Sequence, residues 1–390
     1  MRNILFLLIT IILLSCNQSK GRGDEENKLS CYFVPKCITS HESFHLKSYY
    51  LSNSYQDSLD TCIVAYNDRL HALDVVDCKN DTIYEILLDR DGNNAVQGRL
   101  SGIFVHNMDS IWAYSEAMLV YLLDSMGNIR GKWNLHAWLK QGEEVMIETN
   151  HAVCTASLFY DSKRKTLLYG IIDGNSKPVS FKVREVDIVS QRVIKDYTLF
   201  PSEITDDTTY GYANMNRVNL AFHDSLIIYN YPIESNIYVL NRKNNITKTV
   251  AGDSYYTENQ AKKCFSKSDY SQWEKHQVEN IHFYDVMYLP KMDIYVRLHL
   301  SGVEYDKKRT LGELLSSRRL YASFFDRDFY KIGECQLQNF RYSYYTGWCA
   351  MHNGVILFVD NELRKEDFTD NLLFDWMIPI VEQTVDKKTI

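Results

Sequence analysis

Proline is scarce in this chain, with six residues in 390, so few segments are barred from a ladder by a missing amide hydrogen. Runs with helical periodicity are also few, and together the two shortages favour strands. Lysine and arginine adjoin in runs of three at most, as at Lys163-Arg164-Lys165 and Lys307-Lys308-Arg309, and the formal net charge is −7. That argues against a phosphate-binding face, and so against nucleic acid as a partner. Past residue 15 no apolar run approaches the roughly 20 residues that cross a bilayer as a helix. No two cysteines stand at Cys-x-x-Cys spacing, so no zinc site is expected. The Gly-x-Ser-x-Gly, His-Glu-x-x-His and phosphate-loop signatures are all missing. Neither a catalytic residue nor a cofactor is therefore expected.

What is there begins at the N-terminus. Met1-Arg2-Asn3 carries one positive charge, and residues 4–14 are apolar apart from Thr10. This is the length of a signal-peptide hydrophobic region and too short for a permanent span. It ends in Leu13-Leu14-Ser15-Cys16, which looks like the bacterial lipobox: a small residue for the peptidase, then a thiol that accepts the lipid. Buried acyl chains contribute about 0.8 kcal/mol per CH₂, so several of them anchor stably. Residues 17–28 contain no apolar side chain and read as a solvated tether. The expected organisation is a signal peptide over 1–15, a lipidated Cys16 with a flexible tether over 16–40, and one domain over 41–390. The expected address is the bacterial envelope, lipid-anchored and most simply at the outer membrane. The acidic trio Asp24 to Glu26 leaves periplasmic and surface placements both open.

Eight further cysteines follow Cys16, and an exported chain can oxidise them. Cys31 with Cys37 is the pairing that proximity favours, and Cys62 can meet Cys78 across a hairpin. Buried reduced thiols are the competing reading for most of the set. Tyrosine is abundant, at 28 residues, which suits strands and also sugar-binding surfaces.

The body of the chain repeats. A polar turn followed by an apolar run appears as Asp60-Thr61-Cys62-Ile63-Val64, Asp109-Ser110-Ile111-Trp112 and Lys165-Thr166-Leu167-Leu168. It returns as Asp224-Ser225-Leu226-Ile227, Met292-Asp293-Ile294-Tyr295 and Asn353-Gly354-Val355-Ile356. A second hairpin follows in most units, with an acid or amide at the strand end: Asp89, Asp124, Asn241 and Asp326. Two hairpins per unit at a spacing of roughly 50 to 65 residues predict a β-propeller of four-stranded blades. The fold class is thus all-β, six-bladed, with seven blades as the alternative and residues 43–51 closing the ring. Stretches 134–146, 253–280 and 311–320 look helical and are expected as insertions on one face.

The lipobox, the polar tether, the tyrosine-rich body and the Asp-Ser-Leu-Ile-Ile-Tyr type of repeat together resemble a family of propeller-like lipoproteins of Bacteroidetes, the domain of unknown function 4221 type. The resemblance implies a propeller over nearly the whole mature chain and carries no catalytic residues with it.

Candidate chemistry is sparse. Asp89-Arg90-Asp91-Gly92-Asn93-Asn94 has part of a calcium-loop pattern, but Leu100 stands where a bidentate glutamate belongs, so it reads as a hairpin turn. His106 and His223 precede equivalent turns, which favours a structural role. Glu143-Glu144 and Asp206-Asp207 read as solvated loop acids. Three segments leading into blades mark either a ligand-binding mouth or a set of side chains that cap the channel and bond to one another: Tyr210, Tyr212, Asn214, Asn216 and Arg217; His282 and Tyr284; Tyr344 and Trp348. Rings that stack and amides that hydrogen-bond suit a glycan or peptide. The expected function is a membrane-anchored binding or scaffolding module for a glycan, peptide or envelope protein. The alternative is a hydrolase or lyase acting on glycans or peptides, which would bring acids or histidines together at the mouth.

Overall fold

The computed structural model describes residues 29–39, 45–56, 61–146, 155–176, 179–202, 212, 215, 217–264, 266, 268–342, 347–364 and 371–380. Cys16 and the rest of the signal and tether lie outside them. The first strand is β1 (Ser30–Ile38). Blade one follows as β2 (Ser52–Gln56), β3 (Thr61–Asn67), β4 (Ala72–Asp77) and β5 (Thr82–Leu87). Blade two is β6 (Leu100–Asn107), β7 (Ser110–Ser115), β8 (Leu119–Leu123) and β9 (Ile129–Asn134). In blade three an interrupted inner strand, β10 (Glu143–Val145) and β11 (Phe159–Asp161), pairs with β12 (Thr166–Asp173); β13 (Ser180–Asp187) and β14 (Arg192–Thr198) complete it. Blade four is β15 (Asn219–His223), β16 (Leu226–Asn230), β17 (Ile237–Asn241) and β18 (Ile246–Val250). Blade five is β19 (His282–Leu289), β20 (Ile294–Leu300), β21 (Leu320–Phe325) and β22 (Lys331–Gln336). Blade six has β23 (Trp348–Met351), β24 (Gly354–Phe358) and β25 (Leu372–Ile380), and takes β1 as its outer strand. The protein is a six-bladed β-propeller.

Turn chemistry explains the sequence repeat. The turn into the second strand of a blade holds a left-handed residue at Lys165 (φ 55°), Asp224 (φ 49°) and Asp293 (φ 53°). Aspartate tolerates that region better than most side chains, which is why the acid recurs. In the outer hairpins one side chain at the strand end accepts from its own turn amides. Asp77 takes Lys79 and Asn80, Asp124 takes Met126 and Asn128, and Asp187 takes Val189 and Ser190. Asn241 and Asp326 do the same in blades four and five. Asp89 does not belong to this set. It lies in the connection from blade one to blade two, where its carbonyl accepts from Val96 and Gly92 turns the chain at φ 89°. The expected hairpin at that point is instead a crossover between blades.

Each blade has two apolar faces, and burial of one Val, Leu or Ile contributes about 1.5–3 kcal/mol. Only a ring covers both faces of every sheet. Among the described residues six apolar cores fall at the six blade contacts. Val64 and Leu73 meet Ile103 and Ile111, Trp112 and Tyr114 meet Leu167 and Tyr169, and Leu168 and Tyr197 meet Leu220 and Tyr229. Ile228 and Val239 meet Tyr295 and Phe325, Val296 and Phe324 meet Val355 and Met377, and Phe358 and Phe374 meet Ile63 and Val76.

The ring closes upstream of the expected position. β1, assigned from sequence to the tether, runs antiparallel to β25 from Ser30↔Ile380 to Ile38↔Leu372. Of the expected closing run 43–51, residues 43 and 44 lie outside the described residues and 45–51 lead into blade one. The strand is concealed in sequence because it lies at an outer edge, largely exposed, where Pro35 is tolerated. Its geometry also rules out the expected Cys31–Cys37 pair. Six residues of extended chain hold the two thiols roughly 20 Å apart. Cys31 Sγ instead lies 3.6 Å from Cys335 Sγ on β22, linking the closing strand to blade five. Cys62 and Cys78 are buried thiols that pack into different blade contacts. Treatment with a disulfide oxidant is expected to join Cys31 to Cys335 and raise stability by about 2–4 kcal/mol. Non-reducing peptide mapping and a melt checked against Cys335→Ser would show it, and a Cys31–Cys37 product would refute it.

Topology sorts the connections by length. Strands within a blade run as a meander, so the first-to-second and third-to-fourth turns share one face and are tight. The second-to-third and blade-to-blade connections share the other face and carry the insertions. These include the 3-10 turn Leu135–Trp138 and the helices Tyr270–Glu279 and Leu311–Ser316, near the places expected from sequence.

Candidate functional site: the central channel

The six inner strands surround a central space, and hydrogen bonds bridge their edges in places: the Val105 amide donates to Asn53 Oδ1, and Ser54 donates to the Ala350 carbonyl. That space is a cavity of about 450 Å³ walled by all six blades: Tyr50–Gln56, Gly102–His106, Thr155–Phe159, Ala221 and Phe222, Asp285–Tyr288 with Pro290, and Trp348–His352. The wall is divided in character. Phe104, Phe159 and Phe222 form a belt across blades two, three and four, with ring centres 5.2 Å and 5.5 Å apart. Tyr288 continues it in blade five and holds the His223 ring at 3.5 Å. Blades one and six add polar groups, including Ser52, Ser54, Gln56 and His352, beside Tyr55 and Trp348.

Blade three builds its part of the wall unusually. Its inner strand breaks after β10, and Thr155 to Ser157 pair with the inner strand of blade four. Leu220 donates to the Thr155 carbonyl at 2.8 Å, and Ser157 donates to the Leu220 carbonyl at 3.1 Å. The side-chain oxygens of Thr155 and Gln56 are buried without a hydrogen-bond partner.

Asp285 is the one carboxylate among the described residues of the wall. The β19–β20 register slips between Phe283 and Val286, a bulge of the kind that re-aims a side chain. Asp285 Oδ1 is buried and accepts no hydrogen bond. Burial without a compensating cation raises its pKa to about 6. A carboxyl whose folded pKa exceeds its unfolded value stabilises fully below the unfolded pKa, and loses that contribution as pH rises through about 6. Asp285→Asn is therefore expected to be more stable than the parent by about 1–2 kcal/mol at pH 7.5, with the gap closing toward pH 4. Urea titrations at both pH values would measure it; a destabilised variant at pH 7.5 would refute it.

The expected mouth residues divide into three groups. Tyr210, Asn214, Asn216 and Tyr344 lie outside the described residues. His282, Tyr284 and Trp348 are brought into one contact chain, with ring centres 4.6 Å and 4.5 Å apart. Of these Trp348 lines the cavity, while His282 and Tyr284 are buried behind it. Tyr212 is buried and faces His276 of the helix Tyr270–Glu279 at 6.3 Å, and Arg217 is half-buried ahead of β15. Sequence reasoning missed Asp285. The signal available was a single acid inside the aromatic and apolar run His282-Phe283-Tyr284-Asp285-Val286-Met287-Tyr288. His106 and His223 do sit at equivalent strand ends, and His223 Nδ1 lies 2.8 Å from the Tyr295 hydroxyl. Glu143 is no solvated acid: it is buried and paired with Arg184 at 2.7 Å, while Glu144 is exposed. Asp206 and Asp207 fall outside the described residues.

A closed six-bladed ring with a divided channel defines the class of protein. No family model matches the sequence, and no curated protein does. Solved structures do. A member of the duf4221 family from Bacteroides vulgatus shares the fold with a TM-score of 0.71 at 13% identity, covering 92% of this chain and 100% of that one. A Bacteroides fragilis protein named as an exported one follows with a TM-score of 0.52 at 12% identity, covering 92% and 97%. The resemblance to Bacteroidetes propellers of the 4221 type, drawn from the turn repeat, is borne out in the fold.

Proposed function

We propose that this chain is an exported, lipid-anchored propeller of the bacterial envelope that binds a small ligand in its central channel. The observation that carries the reading is the channel itself. An aromatic belt and buried unpaired oxygens surround a volume of about 450 Å³, within the size range of small-molecule sites. Cys16 after Leu13-Leu14-Ser15 supplies the anchor, and the Bacteroides fragilis protein of similar fold, named as an exported one, supports the address. Binding is favoured over glycan hydrolysis because that chemistry takes a carboxylate pair, and the described wall offers Asp285.

Two measurements test the reading. Fatty-acid labelling of cells expressing the full chain should mark the protein, and Cys16→Ser should abolish the label. A calorimetric screen of the mature chain against glycans, peptides and small metabolites should return a ligand. Hydrolytic turnover without any stable complex would overturn the binding reading.

A further inference from the structure

We infer that the channel selects an organic ammonium ion, held by Asp285 against the ring faces of Phe104, Phe159, Phe222 and Tyr288. The inference rests on the binding reading above and names its ligand class.

Three features point the same way. Asp285 faces the cavity with an unpaired oxygen, and Gln56 and Thr155 add side-chain oxygens of the same wall that are likewise without a hydrogen-bond partner. Oxygens without partners call for a donor, and an ammonium group supplies up to three. No lysine or arginine lines this wall among the described residues, so the carboxylate has no resident counter-charge there. Lastly, the aromatic belt offers half-buried rings from successive blades, and a cation over such faces is attracted by the ring quadrupole while its carbon substituents remain in apolar contact. A metal ion fits less well. One carboxylate is a poor start for the six to eight oxygens that calcium takes, and no group of three or more metal-ligating side chains occurs among the described residues. A neutral sugar would use the rings and hydroxyls but would leave Asp285 without the charge that matches it.

Isothermal titration of the mature chain at pH 7.5 tests this with choline, spermidine and glucosamine. The comparison probes are glucose and the uncharged alcohol in which carbon replaces the choline nitrogen. At least one ammonium probe is expected to bind about tenfold or more tighter than its neutral counterpart. Asp285→Asn should remove that preference while melting no lower than the parent, so a loss of affinity is not a loss of fold. Phe222→Leu provides an independent variant, expected to weaken the ammonium probe more than the neutral one. Equal affinity for charged and neutral probes, an Asp285→Asn variant that binds unchanged, or no binding by any ammonium probe would each overturn the inference. A neutral glycan or peptide bound independently of Asp285 would overturn it while leaving the binding reading intact.

Discussion

A chain begun at His45, lacking β1, is expected to lose cooperative unfolding altogether. β1 pairs with all nine residues of β25, and without it β25 becomes a long edge carrying Leu372, Phe374 and Met377, each fully buried in the intact ring. Ile38, also fully buried, leaves the blade six to blade one core at the same time. The preceding residue of the closing segment reaches the other way. Leu29 packs over Gly333 of β22 so closely that a methyl there would collide with it, and Leu29 belongs to the blade five to blade six core. The truncation therefore opens two contacts, and a ring with one open seam exposes apolar faces on both sides of it. The expected loss is comparable with the whole stability of a domain, about 5–15 kcal/mol. A urea titration followed by tryptophan fluorescence and circular dichroism should show a broad transition or aggregation through the bare edge. Adding a peptide of residues 29–39 should restore a sharp transition, as strand addition does elsewhere. A truncated chain with a sharp transition near the parent midpoint would refute the account.

The sequence was most legible where a turn dictates its residue. Asp224 and Asp293 recur because the turn needs a left-handed residue, and Asp124, Asn241 and Asp326 recur because each bonds its own turn amides. Those short-range requirements leave a period, and the period announced the blades. What depends on distant residues was hidden. β1 pairs with a strand more than 300 positions away, and its exposed, proline-bearing sequence carries no local mark of that partnership. Asp285 was concealed for a different reason: a bulge changes which way a side chain faces without changing composition. His282 and Tyr284 looked like ligand groups because buried aromatics and displayed ones are written with the same letters. Glu143 shows the converse, an acid beside an acid that proves to be enclosed by cations supplied from β13.

That enclosure leads to the second large effect, Arg184→Met. The Arg184 side chain is fully buried, and its guanidinium donates to Asp196 at 2.7 Å through both Nε and Nη2. It also donates to Glu143 at 2.7 Å and 3.1 Å, and to the Trp138 carbonyl of the 3-10 turn. One side chain thus fastens β10, β13, β14 and the insertion that precedes β10. Burial alone would raise the Glu143 pKa, but hydrogen bonds from Arg184 and Lys182 outweigh it and hold the carboxyl at about 2. Methionine fills the volume but leaves Glu143 ionised and enclosed with Lys182 as its remaining cation. Breaking a buried pair from one side costs about 3–5 kcal/mol. The sign of the pH dependence follows from the depressed pKa. In the parent this pairing stabilises above the unfolded glutamate value and is lost as pH falls from about 4.5 toward 2. In Arg184→Met most of that contribution is already absent, so the gap between parent and variant should narrow over the same range. Adding Glu143→Gln to the variant should recover part of the loss at neutral pH, since it removes the stranded charge. Urea midpoints of the parent, the two single variants and the double variant, taken at pH 7 and pH 3.5, would test this directly. A gap that stays constant with pH, or a double variant that simply adds the two losses, would show that Arg184 acts through packing and not through its charge.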